Sequence, residues 1–215
     1  MSGRTPGVPR PAGASRYGWF LGVVLFLAIA YITINTATTE RSSSTGPERG
    51  TPMPPFAVPL ALSALDGDAN VAVKRGQGGA GARPACEVRG AQILNVCQLW
   101  ERGPVALAFF AIRGGACEDQ LDRLQAVRDE FPGVQVAAVA IRGDRDKVRR
   151  DVRARGWRFP VGYDRDGALA NLYGVAVCPQ MTLAERGGKV RRNLIGEVSV
   201  ARLRRELGAL QPPSK

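Results

Sequence analysis

Two apolar runs constrain the fold of this chain more than any other feature. Residues 105–112 read VALAFFAI and residues 134–141 read VQVAAVAI. Nearly continuous apolar runs of this length are typical of strands that are buried on both faces of a sheet. The segment between them, residues 118–131, carries apolar residues at helical spacing, namely Leu121, Leu124, Val127 and Phe131. The order strand, helix, strand predicts an α/β domain with parallel central strands.

The segments after residue 141 continue this alternation. In chain order, we predict a charged helix at 144–156, a strand at 159–162, a helix at 168–173, strands at 180–186 and 189–194, and a helix at 198–210. Gly187 and Gly188 between the last two strands favour a hairpin turn. We therefore expect one mixed sheet, parallel at first and antiparallel in its final hairpin, with helices on both faces. Short strands joined at a turn, within residues 54–73, precede it.

The first part of the chain is organised differently. Residues 17–39 carry no charge and are mostly apolar. As a helix rising about 1.5 Å per residue, this stretch is long enough to cross a hydrocarbon layer of about 30 Å. It is longer than the apolar part of a cleaved signal peptide, and no clean small-x-small cleavage site follows it.

The charges around that apolar stretch predict its orientation. Arg4, Arg10 and Arg16 precede it without any acidic residue, so the positive-inside rule keeps the N-terminus in the cytoplasm. We predict a cytoplasmic basic tail at 1–16, a transmembrane anchor helix at 17–35, a flexible extracytoplasmic linker at 36–55 and a globular domain at 56–215. The protein would then be a single-pass protein of the cell membrane, with its domain outside the cytoplasm.

Composition excludes several classes of function. The chain contains no histidine, which removes every mechanism that needs a histidine base and the commonest zinc ligand. The four cysteines form no Cys-x-x-Cys pair, so we predict no metal site. The net charge of +11 comes from basic residues spread along the whole chain, and aromatic residues are few, so we predict no nucleic-acid partner.

Two short motifs have ordinary structural interpretations. The glycines of a GxGxxG pattern, at Gly76, Gly78 and Gly81, are followed closely by Pro84, which favours a mobile loop over a dinucleotide-binding turn. We therefore predict no cofactor. The acidic pair in YDRDG, residues 163–167, resembles the start of a calcium loop, but later ligands are missing at the required spacing. A turn that caps the next helix is the favoured interpretation.

The stretch FFAIRGGACEDQL, residues 109–121, resembles the active-site passage of the thioredoxin-like superfamily, in its membrane-tethered TlpA-type or redoxin branch related to AhpC/TSA proteins. That passage has an apolar strand ending Phe-Trp-Ala, followed after two residues by Cys-x-x-Cys at the start of a helix. Here 109–111 match the strand end, Cys117 falls on the second cysteine, and Gly114 occupies the position of the first. The resemblance therefore implies a degenerate active-site motif.

A second passage carries the same resemblance. Residues 173–190, YGVAVCPQMTLAERGGKV, are similar to the family's Tyr-Gly-Val, cis-proline, strand and Gly-Lys hairpin, with Pro179 on the cis-proline. The resemblance covers about residues 56–210, and the order of elements agrees throughout. It implies a thioredoxin-like fold for the domain at 56–215, a central mixed sheet flanked by helices and preceded by the predicted transmembrane helix.

The four cysteines, in a domain predicted to lie outside the cytoplasm, indicate disulfides. Cys86 and Cys97 bracket a short loop and favour a structural disulfide worth about 3 kcal/mol on the loop-entropy model, with free or resolving thiols as the alternative. The resemblance implies that the residue before the cis-proline lies against the start of the active-site helix. Cys178 would then reach Cys117 if their Cα atoms were within about 7 Å. A stable bridge, a reversible redox couple and two independent thiols all remain open.

The leading functional hypothesis is thiol–disulfide or antioxidant chemistry in which Cys117 acts with Cys178 and Pro179. The partners would be the membrane and protein thiols, protein disulfides or peroxide. One alternative is a degenerate thioredoxin domain that serves as a binding or scaffold module and is held by structural disulfides. Another is a single-cysteine thiol peroxidase of peroxiredoxin type, because such proteins carry one reactive cysteine at the position of Cys117. Against it, Gly114 stands where peroxiredoxins have threonine or serine.

Overall fold

The computed structural model describes residues 15–38, 46–71, 83–112, 115–141 and 143–211. The predicted basic tail before residue 15, the GxGxxG glycines and Gly114 lie outside these residues. The chain divides into two compact units, Met1–Arg41 and Ser42–Lys215, which are described separately below.

The first unit contains one helix, α1, over Ser15–Thr38. Between residues 18 and 33, its large apolar side chains are exposed, from Val23 at 38% to Leu21 at 75%. None of the helices in the described ranges combines the length and the apolar character needed to span a bilayer.

From residue 105 onward, the second unit follows the predicted order of strands and helices. Its elements are β1 (Phe56–Pro59), β2 (Asn70–Val71), β3 (Ile93–Asn95), α2 (Val96–Arg102), β4 (Val105–Phe110), α3 (Ala116–Arg128), β5 (Gln135–Ile141), α4 (Arg145–Arg155), β6 (Val161–Asp164), α5 (Ala168–Leu172), β7 (Gln180–Ala184), β8 (Val190–Ile195) and α6 (Val200–Gly208). A short 3₁₀ turn, Ala85–Glu87, precedes β3.

The main sheet has five strands in the order β6-β5-β4-β7-β8. The pairs β4–β5 and β5–β6 are parallel, whereas β4–β7 and β7–β8 are antiparallel. All six residues of β4 are buried, since alternate side chains enter hydrophobic clusters on opposite faces of the sheet. This burial on both faces explains the continuous apolar run, and the predicted mixed α/β sheet is confirmed.

The two faces of the sheet are covered differently. On one face, α3, α4 and α6 contribute apolar residues to a shared cluster, among them Leu121, Leu124, Val148, Val152, Leu203 and Leu207. On the other face, α2 and α5 pack together with β1 and β3, and their buried side chains include Phe56, Val58, Leu94, Leu99, Leu169 and Tyr173. Helices on both faces were predicted and are found.

The prediction of a single sheet was wrong. A second sheet of three strands, ordered β2-β1-β3, pairs β1 with both of its neighbours in antiparallel register. The stretch between Cys86 and Cys97, predicted as a loop, contains β3 and the start of α2. A strand of three residues, Ile93–Asn95, shows too few alternations for its period to be recognised, and only its pairing with β1 defines it.

Candidate functional site

Cys117 lies in the first turn of α3. The residue before the helix, Gly115, has a φ of 102°, a backbone conformation that favours glycine. The side chain of Cys117 is 8% exposed and belongs to the cluster that lies between α3 and the sheet. The predicted site cysteine is therefore at a strand-to-helix junction and largely buried.

Cys178 reaches this junction through the pairing of β4 with β7. In their antiparallel register, Phe109 lies opposite Gln180. Continuing the register by two residues places Ala111, just after β4, opposite Cys178, just before β7. The peptide bond between Cys178 and Pro179 is cis, and Pro179 accepts a backbone hydrogen bond from Gly196 at 2.8 Å.

The two sulfurs are joined in a disulfide. The S–S distance is 2.14 Å, the Cα atoms of Cys117 and Cys178 are 5.6 Å apart, and 61 positions of sequence separate the two residues. The backbone N–H of Ala111 donates a hydrogen bond to Sγ of Cys178 at 3.4 Å. Cys178 is only partly buried and packs against the edge of the core. The structure thus brings the two predicted residues together and leaves them in unequal surroundings.

An open groove of about 650 Å³ runs past the disulfide. Both cysteines line it, together with the apolar side chains of Ile112, Ile141, Val175 and Val177 and the polar side chain of Asn171. Val177, next to Cys178, is 48% exposed. The disulfide therefore borders an open groove at the surface of the domain, beside the exposed residue Val177.

Two glutamines lie behind the bridge, around a small internal cavity that also borders Cys117 and Pro179. Gln120 accepts a hydrogen bond from the N–H of Val198 at 2.7 Å, and Gln180 donates one to the carbonyl oxygen of Tyr173 at 3.2 Å. The remaining amide atoms, Nε2 of Gln120 and Oε1 of Gln180, are buried without a hydrogen-bond partner among the described residues. Sequence reasoning missed both, because a single buried amide leaves no periodic pattern.

Asp164 at the end of β6 is a helix-capping residue. It is fully buried, and its Oδ2 accepts hydrogen bonds from the N–H groups of Leu169 and Ala170 at 3.0 and 3.2 Å. Burial and, to a smaller extent, the neighbouring Asp166 carboxyl raise the pKa of Asp164 to about 7, although the two backbone donors act in the opposite direction. In the described part of the chain, no group of three or more His, Cys, Asp or Glu is placed to hold a metal ion.

Cys86 and Cys97 form the second disulfide, with an S–S distance of 1.93 Å and Cα atoms 5.4 Å apart. Asn95 holds the same region together. Its Oδ1 accepts from the N–H groups of Cys97 and Gln98 at the start of α2, and its Nδ2 donates to the carbonyl oxygens of Ala85 and Val88. The sequence signal for this residue, an asparagine directly before a helix, is visible only once α2 is recognised.

The strand order, the cis-proline and the helix that carries Cys117 in its first turn define a thioredoxin-like fold. The structure is similar to thiol:disulfide interchange protein DsbE from Chlorobium tepidum, with a TM-score of 0.58 at 20% sequence identity, covering 76% of this chain and 97% of that one. It is also similar to a DsbF homologue from Corynebacterium diphtheriae, with a TM-score of 0.57 at 14% identity, covering 77% and 91% of the two chains. At such identities the likeness establishes the fold alone, and the predicted thioredoxin-like fold is confirmed.

The sequence defines the family more closely. The AhpC/TSA family pattern matches residues 86–193, just over half of the chain, and the protein belongs to this family. Thiol-disulfide oxidoreductase ResA of Geobacillus thermodenitrificans is 28% identical over 80 residues, which are 37% of this chain and 46% of that protein. ResA of Bacillus thuringiensis is 26% identical over 110 residues, 50% and 64% of the two chains. The matched part of this chain thus spans between about half and two thirds of these curated relatives.

Proposed function

We propose that this protein is a membrane-anchored, extracytoplasmic thiol–disulfide oxidoreductase whose redox couple is Cys117 and Cys178. The observation that carries the proposal is the disulfide itself, which joins two sequence-distant cysteines beside an open groove. Thiol–disulfide exchange needs a thiolate, a disulfide and access between them, and it needs no histidine base. The absence of histidine from the sequence therefore does not exclude thiol–disulfide exchange.

The relatives support the same assignment. ResA proteins are named as thiol-disulfide oxidoreductases, and two of the similar structures are a thiol:disulfide interchange protein and a DsbF homologue. We therefore propose protein thiols and protein disulfides as the reacting partners. In this proposal Pro179, which is buried directly after Cys178, positions Cys178 beside the groove.

The membrane anchor is a separate part of the proposal. It is supported by the uncharged stretch at 17–39, by the helix α1 that covers nearly all of it, and by the exposure of its large apolar side chains. Membrane fractionation of the full chain, with labelling of the domain by a reagent that cannot cross the bilayer, tests both the anchor and the orientation. Recovery of the full chain in the soluble fraction would contradict this part alone.

The reduction potential of the Cys117–Cys178 bridge tests the redox proposal. Exchange chemistry is expected to place it near about −200 mV, whereas structural disulfides resist reduction to below about −300 mV. The measurement is disulfide mapping by mass spectrometry across glutathione redox buffers, with the Cys86–Cys97 bridge as an internal structural reference. A Cys117–Cys178 bridge as resistant as that reference would favour the binding-module alternative instead. Peroxide consumption that is lost on Cys117→Ser would favour the thiol peroxidase.

A further inference from the structure

We infer that Sγ of Cys178, and not that of Cys117, is the atom to which the partner becomes covalently attached during exchange. This inference rests on the proposed function and adds the direction in which the bridge opens. It assigns Cys178 as the substrate-linked cysteine and Cys117 as the cysteine that leaves when the bridge opens and returns when it closes.

Access is the first observation. Cys117 is 8% exposed and lies within the core cluster, whereas Cys178 is only partly buried and packs against the outside of that cluster. The residues before Cys178 are exposed, with Val177 at 48%, and they line the groove. Both cysteines line the groove, and Cys178 is the more exposed of the two. Since a thiolate attacks a disulfide at the sulfur that it can reach, we expect a partner lying in the groove to attack Cys178.

The second observation concerns the hydrogen bond to the sulfur of Cys178. The N–H of Ala111 donates to this Sγ at 3.4 Å, and the donor is fixed by the end of β4. A donor held at this position stabilises negative charge on Cys178 whenever its sulfur leaves a mixed disulfide. The exposed cysteine therefore has a built-in donor for the step in which the partner departs.

The third observation concerns the leaving sulfur in the first step. Cys117 lies in the first turn of a 13-residue helix, where the backbone N–H groups and the helix dipole favour a thiolate. Glu118 and Asp119 in the same turn oppose this effect, although Asp119 is ion-paired with Arg155 at 3.4 Å. The assignment of Cys178 as the attacked cysteine therefore rests on its greater accessibility and not on the charges around Cys117.

With a dithiol partner, exchange takes two steps. A partner thiolate attacks Sγ of Cys178, the Cys117–Cys178 bond breaks, and Cys117 leaves as a thiolate that takes up a proton. The second partner thiolate then attacks the partner sulfur of the mixed disulfide, and Cys178 leaves as a thiolate. The partner loses two electrons and becomes a disulfide, and the protein gains them and becomes a dithiol. With a disulfide partner, the same steps run in reverse.

The test uses the full chain in its oxidised form and glutathione as the probe. The protein is mixed with reduced glutathione for short times and quenched with N-ethylmaleimide, and each cysteine is then assigned by peptide mass spectrometry. We expect glutathione on Cys178 and maleimide on Cys117, with the adduct on Cys178 exceeding that on Cys117 at least about tenfold at the earliest time. Glutathione mainly on Cys117 would overturn the inference and leave the proposed redox function intact.

Two matched variants make the assignment independent of turnover. Cys117→Ser leaves Cys178 as the single free thiol of the site, and Cys178→Ser leaves Cys117. After circular dichroism has shown that both variants are folded, iodoacetamide should modify Cys178 in the first variant at least about tenfold faster than Cys117 in the second. Equal rates or the reverse order would overturn the inference. A wild-type bridge that never opens in glutathione would instead refute the proposed function, and the two alkylation rates would still decide which sulfur is accessible.

Discussion

Gln120 in α3 and Val198 just before α6 are joined directly behind the disulfide, with the Val198 N–H donating to Oε1 of Gln120 at 2.7 Å. This bond crosses 78 positions of sequence, and both groups are buried. It ties α3, at a position three residues after Cys117, to the segment that enters α6. The position of Cys117 therefore depends on a contact that no local sequence pattern describes.

Replacing Gln120 should show how much this hydrogen bond contributes to the free energy of unfolding. We expect Gln120→Leu to lower the free energy of unfolding by about 1–3 kcal/mol, because the buried N–H of Val198 then lacks an acceptor. The measurement is urea unfolding of the domain. Gln125→Leu is the matched control, since Gln125 lies on the same helix and its side chain accepts one N–H, from Arg158, near the surface. Equal losses in the two variants would show that burial of the Gln120 contact adds nothing.

Asp164 should make stability depend on pH. Its folded pKa of about 7 lies above the ordinary value of 3.8, so between these values the folded state binds a proton that the unfolded state has released. The stabilisation is complete below pH 4 and is lost as the pH rises through about 7. We expect Asp164→Asn to remove this decline. The measurement is the free energy of unfolding at a series of pH values from 4 to 8.

A second capping aspartate provides the control for that experiment. Asp144 accepts a hydrogen bond from the N–H of Asp146 at 2.8 Å at the start of α4, but it is exposed. We expect Asp144→Asn to leave the decline between pH 4 and 7 in place. A wild-type protein whose stability rises over this interval would contradict the raised pKa of Asp164.

The two disulfides should differ in what they contribute to stability. The loop-entropy model gives about 3 kcal/mol for the bridge that spans 11 positions and about 4 kcal/mol for the bridge that spans 61. We expect Cys86→Ala with Cys97→Ala to cost about the first value. A bridge that is easily reduced stabilises the folded state less, so Cys117→Ala with Cys178→Ala should cost clearly less than the second. Thermal unfolding of both double variants measures these losses of stability. A loss of the full value of about 4 kcal/mol on replacing Cys117 and Cys178 would indicate that their bridge is structural.

Gly162 in β6 should tolerate no side chain. A Cβ at this position would lie 2.6 Å from Cγ2 of Val58 and 2.9 Å from Cδ2 of Leu94, which belong to the second sheet. We expect Gly162→Ala to destabilise the domain by about 1–3 kcal/mol through overpacking. Gly133→Ala is the control, because a Cβ there meets nothing within 4 Å. A Gly162→Ala variant with an unchanged free energy of unfolding would mean that the two sheets can move apart without loss of stability. Urea unfolding compares the two variants.

Much of the main sheet is predictable from local pattern. The apolar runs at 105–112 and 134–141 contain β4 and β5, and the helix predicted at 118–131 overlaps α3. The second sheet is not predictable in this way, because Ile93–Asn95 is too short to show a period and is defined only by pairing with β1. Asn95 was missed for the same reason, since its role as a helix cap depends on recognising α2 first.

The sequence by itself determined the order of strands and helices from residue 105 onward, because burial on one or two faces imposes a period that can be read within a few residues. It also indicated, through a family resemblance, where Cys117 and Cys178 belong in such a fold. It left their relation among three alternatives. The tertiary structure alone placed their sulfurs together and made their exposures unequal, because both depend on the antiparallel register of β4 and β7. The disulfide joins residues 61 positions apart, and the register that brings them together pairs Phe109 with Gln180, so neither is within reach of a local pattern.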